Sequence, residues 1–192
     1  MGDAAFRRRA GLQAYLIVLF SLAYAVVYLG LVRTNPSNAT AASLASALLC
    51  AGALSASIAT VGVASYIGGI AGVWLGAFGV AYSLLSAAHG AFAAIAAAQG
   101  YADLDLSPTD PRGFATFGLA GLWMLVVGLE LWGRADLRSV YKRVAVVGGV
   151  DLILLFVATL IGSEPAILVT GGLASVVLGP VFWAMTGRLL RG

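Results

Sequence analysis

Three ionisable side chains interrupt long apolar stretches of this 192-residue chain: His89, Glu130 and Asp151. An ionisable group at membrane depth costs a few kcal/mol on insertion scales, so each is a candidate for function until something simpler explains it. Glu130 has a simple explanation. It lies close to the end of its apolar stretch, and Arg134 follows at i+4, the favoured orientation for a helical ion pair. Asp151 lies eight residues past Arg143, a depth of about 12 Å at the helical rise of ~1.5 Å per residue. His89 lies nine residues before Ala98, about 13–14 Å from its own end by the same rise. In a hydrocarbon core about 30 Å thick the two come within about 5 Å of one another in depth. Neighbouring helices would make them a buried, proton-linked His–Asp pair. Separated helices would leave each to bond a hydroxyl or a backbone carbonyl. Tyr82 and Ser86 share a helical face with His89 at spacings of four and three. Asp151, His89, Tyr82 and Ser86 are therefore the candidate ligand-binding or proton-linked residues.

The elements that carry them are read from composition. Hydrophobic residues make up 61% of the chain and charged residues only 10%, too few to cover a water-facing surface, where about 25% is usual. Apolar stretches of about 20 residues cross a membrane, and six are present, at 12–32, 40–64, 70–98, 114–132, 144–161 and 166–187. The expected fold is all-α, a polytopic six-transmembrane-helix bundle forming a single integral membrane domain over residues 1–192. Nine of the eleven Lys and Arg residues fall on one side of this pattern, leaving Arg33 and Arg112 on the other with Asp103, Asp105, Asp110 and Glu164. Basic residues near membrane segments are retained inside. The expected topology is multi-pass in a cell membrane, with the N-terminus and C-terminus both cytoplasmic. Trp132 and Tyr141 mark the inner interface and Tyr101 the outer one.

Small residues dominate the helix faces. Ser43, Ser46, Cys50, Ala53, Ser57, Thr60 and Ala64 recur at alternating spacings of three and four, the pattern of one helical face. Such a face is either a close-packing seam or a narrow polar lining. Gly72-Val-Trp-Leu-Gly76 is a GxxxG, a second close-packing signal. Gly68 and Gly69 are placed for a tight turn. Gly179-Pro180 should kink the last span, because proline removes a backbone donor and crowds the preceding turn.

Several chemistries lack their residues. Lys142, the only lysine, sits at a rim, so no retinal Schiff base is available. One histidine provides neither bis-histidine haem ligation nor a zinc cluster. Asp103-Leu-Asp105 has no basic partner cluster, and Cys50 is a lone cysteine with no intrachain partner. The sequence thus names no catalytic residue, metal or cofactor, and the positive charge is explained by topology rather than nucleic acid. Two readings stand side by side. One is a transport-type bundle binding a small apolar ligand. The other is a non-catalytic subunit or scaffold, in a homo-oligomer or a larger membrane complex. A membrane-embedded enzyme is the third, weaker reading.

Overall fold

The computed structural model describes residues 3–100 and 109–192, and among these every regular element is helical. The elements are α1 (Asp3–Val27), α2 (Ala39–Ile67), α3 (Gly69–Ala98), α4 (Ala120–Trp132), α5 (Ser139–Ile161), α6 (Glu164–Gly172) and α7 (Gly179–Arg191). Three π-helical turns extend or join them, at Tyr28–Val32, Phe114–Leu119 and Leu173–Leu178. A short 3₁₀ turn, Pro111–Gly113, precedes the second. Continuous helix therefore forms six segments long and apolar enough to cross a membrane, the sixth being α6, its π turn and α7.

These helices outrun the apolar stretches that mark them. The first begins at Asp3, so Arg7–Arg9 lie within it, and the fifth begins at Ser139, ahead of Lys142 and Arg143. Hydropathy senses only the part in contact with lipid, whereas Ala, Arg and Leu continue a helix readily beyond it. The helix ends follow local chemistry. Asn38 caps α2 by accepting the Ala41 N–H at 3.0 Å. Gly68 (φ 73°) and Gly69 (φ 61°) occupy the left-handed region that reverses the chain between α2 and α3.

The small-residue faces meet one another inside the chain. A Cβ on Gly90 would lie 2.7 Å from the Cys50 nitrogen, and one on Gly79 would lie 2.6 Å from the Thr60 Cβ. Gly72 and Gly76 both rest on Ala64. The Ser43 hydroxyl donates to the Ala94 carbonyl at 2.9 Å. Ser43, Ser46, Cys50, Thr60 and Ala64 of the α2 face thus pack against α3, with Gly72 and Gly76 of the GxxxG meeting Ala64. Ala53 of that face lines a cavity instead, and Ser57 bonds back to Leu54. Gly121 and Gly149 bring α4 and α5 into backbone contact, and Gly11 against Gly187 does the same for α1 and α7.

One end of the bundle gathers Arg7, Arg8, Tyr66 and Arg191 around a shallow depression. The Tyr66 hydroxyl donates to Asp136 at 3.0 Å there, under the Arg134 guanidinium 4.8 Å from the ring. Both termini therefore share the arginine-rich end. The expected Glu130–Arg134 pair does not form. Helix α4 stops at Trp132, so Arg134 lies outside it and pairs with Asp136 at 3.6 Å, while Glu130 is exposed.

Backbone-to-backbone seams admit no extra carbon. Gly90→Val and Gly149→Leu are expected to lower stability by about 1–3 kcal/mol or more through overpacking. Gly172, with nothing within 4 Å of its Cβ direction, should accept alanine with little change. Thermal unfolding in detergent, followed by circular dichroism, checks the contrast.

Candidate functional site

The α2–α3 seam runs the length of both helices, whereas α1 and α7 meet through Gly11 and Gly187 at the arginine-rich end. A cavity of about 940 Å³ lies between the helices, lined by residues from all six spans. This is near the upper end of the ~300–1,000 Å³ range of small-molecule sites. Helix α1 packs on α2 and on α7 but not on α6, so the first and sixth spans part above their Gly11–Gly187 crossing.

Aromatic packing closes the cavity floor. Trp183 lines the cavity and stacks on Trp123, with centroids 5.9 Å apart and planes at 14°. Trp123 is 1% exposed and donates its indole N–H to the Leu75 carbonyl of α3 at 2.9 Å. Beneath it Phe182 stacks on Tyr141 at 5.5 Å. Thr186 donates its hydroxyl to the Phe182 carbonyl at 2.9 Å, which leaves its oxygen to accept from the Tyr141 hydroxyl, also at 2.9 Å. The polar groups of Trp123, Tyr141 and Thr186 all have partners, so this part of the plug can stay dry.

The wall of the sixth span is shaped by Pro180. In the π turn the Gly179 N–H reaches back five residues to the Ala174 carbonyl. The next bond in that register would run from residue 180 to the Ser175 carbonyl, but proline has no N–H. Ser21 of α1 replaces it, its hydroxyl donating to the Ser175 carbonyl at 2.9 Å. Proline kinks and π turns release backbone groups that a neighbouring side chain can bind. The expected kink is thus an inserted π turn, tied to α1 across the cavity wall.

At the open end lie Arg33, Arg112 and Glu164, all exposed and all lining the cavity. Arg112 adopts φ 57°, the only positive φ outside glycine among the described residues. A non-glycine residue in that region is strained and persists only where its surroundings over-determine it. Two contacts do so here. The Arg112 carbonyl accepts the Thr159 hydroxyl at 2.7 Å. The buried Asp110 carboxylate accepts the Ala115 N–H at 2.5 Å and the Thr116 N–H and hydroxyl at 3.1 and 2.5 Å, clamping the start of the fourth span. Neither Arg33 nor Arg112 has an ion-pair partner among the described residues.

The four residues singled out by sequence separate into two pairs. Tyr82 and Ser86 line the cavity from α3, and the Ser86 hydroxyl is buried without a hydrogen-bond partner. His89, one turn further along, is half-buried with Nδ1 unpartnered. Asp151 is 6% exposed, and its Oδ2 also lacks a partner. It sits between Gly148 and Leu155, which do line the cavity, but is not itself part of the wall. No hydrogen bond or ion pair joins His89 to Asp151, because α3 packs on α2 and α4 while α5 packs on α4 and the sixth span. Among the described residues no three His, Cys, Asp or Glu side chains come together. Asp103 and Asp105 lie outside the described residues.

Sequence reasoning missed Arg33, Arg112, Ser21 and Trp183 as lining residues. Arg33 and Arg112 carried a signal, being the only basic residues on the sparsely charged side; Ser21 and Trp183 carried none. No family model, curated protein or solved structure matches this chain, so its functional reading rests on its own residues.

Ser21→Ala is expected to cost about 1–2 kcal/mol by stranding the Ser175 carbonyl. Pro180→Ala restores an N–H, so the same serine change should cost less in that background. A double-mutant cycle on unfolding free energies reads the coupling.

Proposed function

We propose that this chain is a multi-pass membrane protein that binds a small apolar or amphipathic molecule in the cavity between its six spans. One observation carries the reading: a cavity of about 940 Å³ to which every span contributes, open at one end and blocked at the other by the Trp123–Phe182–Tyr141 plug. Sites of this kind are concave and mostly apolar, with a few polar groups that orient the ligand. Tyr82 and Ser86 are such groups on the wall. The plug argues for a binding or carrier role over an open pore.

The alternative, a subunit of a larger assembly, needs helix faces left over for partners. The strongest seams, α2 on α3, α4 on α5 and α1 on α7, are engaged within one chain. Large apolar side chains still face outward along every span, as lipid contact requires.

The charge asymmetry supports a cell-membrane topology with both termini cytoplasmic and the cavity opening outward. In a Cys50→Ala background, Arg33→Cys is expected to react with a membrane-impermeant maleimide on intact cells, and Arg138→Cys only after lysis. The reverse pattern would invert the topology.

Binding is tested by filling the cavity. Gly52 and Gly172 both line it, and a Cβ there meets nothing closer than 3.6 Å. Gly172→Trp or Gly52→Phe should leave thermal unfolding nearly unchanged. Each should also strip any small molecule that co-purifies, as read by native mass spectrometry. A ligand mass that survives both variants would place binding elsewhere.

A further inference from the structure

We infer that the molecule held in the cavity is a single-chain anionic amphiphile, its tail among the spans and its anionic head between Arg33 and Arg112. This rests on the binding role proposed above and names the chemistry it selects. The interior wall offers hydroxyls but no charge: Tyr24, Tyr28, Tyr82, Ser86, Thr116 and Thr159 are its polar side chains apart from those at the mouth and the Ser21–Ser175 tie. Charge is concentrated at this end, where among the described residues Arg33 and Arg112 line the cavity with one carboxylate, Glu164. The Asp110 carboxylate is turned to three donors at the start of the fourth span and makes no ion pair with either arginine.

The two arginines are held differently. Arg33 closes the π turn at the end of the first span, its N–H bonded to the Tyr28 carbonyl at 2.8 Å. Arg112 is held in a left-handed backbone conformation by the Thr159 hydroxyl and the Asp110 clamp. Strain of this kind concentrates at ligand clamps. A guanidinium offers a planar fork matched to a carboxylate or phosphate, and two such forks at the rim of an apolar cavity select an anionic head over a neutral one. The volume, near the upper end of small-molecule sites, suits one chain rather than a whole two-chain lipid.

The test uses the full chain in phosphatidylcholine nanodiscs with cis-parinaric acid, a fluorescent single-chain carboxylate, and its uncharged methyl ester. Energy transfer from the chain's tryptophans, taken as the excess over the same measurement on the cavity-filled Gly52→Phe variant, reports occupancy. The acid is expected to bind about tenfold more tightly than the ester, the size of one charge-assisted contact. Arg33→Gln with Arg112→Gln should erase that preference and leave ester binding unchanged, whereas Glu164→Gln should strengthen acid binding. Oleate should displace the probe and phosphatidylglycerol should not. Equal binding of acid and ester, both above the Gly52→Phe level, would overturn the anionic head while leaving the cavity reading intact. Displacement by phosphatidylglycerol as effective as by oleate would overturn the single-chain ligand. No transfer from either probe above that of the Gly52→Phe variant would overturn both readings.

Discussion

In hydrocarbon a backbone carbonyl without a donor has no water to turn to, and it costs several kcal/mol to leave it so. Pro180 creates such a carbonyl in the middle of the sixth span. The chain absorbs it in two steps: a π turn shifts the hydrogen-bond register by one residue, and the Ser21 hydroxyl takes the place of the missing N–H at Ser175. That single bond ties the first span to the sixth at cavity depth. The Gly11–Gly187 contact holds the same helices together at the arginine-rich end. Between them they set how far the two spans diverge, and so how wide the cavity is.

The bundle divides its polar chemistry accordingly. Toward the arginine-rich end Trp123, Tyr141 and Thr186 are each hydrogen-bonded in a close-fitted plug. The cavity keeps hydroxyls at its wall and charge at its rim. The other two π turns lie at the rim as well, at Tyr28–Val32 and Phe114–Leu119. Departures from α-helical register thus cluster where the cavity is built, which is where π turns are commonly found to serve function.

Two ionisable groups at membrane depth remain outside this scheme. His89 and Asp151 each keep one polar atom without a partner, on helices that do not pack together. Spacing gave each an expected depth, because the helical rise is constant. Their lateral separation was not readable in this way, because it depends on which helices become neighbours. Here α4 stands beside both α3 and α5, and the pair is divided. Glu130 and Arg134 illustrate the same limit more locally: i+4 spacing implies contact only if the helix continues, and it ends at Trp132.

Composition and the positions of the basic residues by themselves determined an all-helical chain with six segments able to cross a membrane, because hydrocarbon leaves the backbone so few solutions. The small-residue periodicity of α2 likewise named a packing face, since only such residues let two backbones touch. What that face would meet, where register would slip, and which residues would surround empty space were decided only by the tertiary structure. A π turn inserts a single residue that leaves no mark on a 3.6-residue pattern. A cavity is defined by side chains that fail to meet, such as Ser86 and Trp183 on separate spans, and no local sequence signal records that.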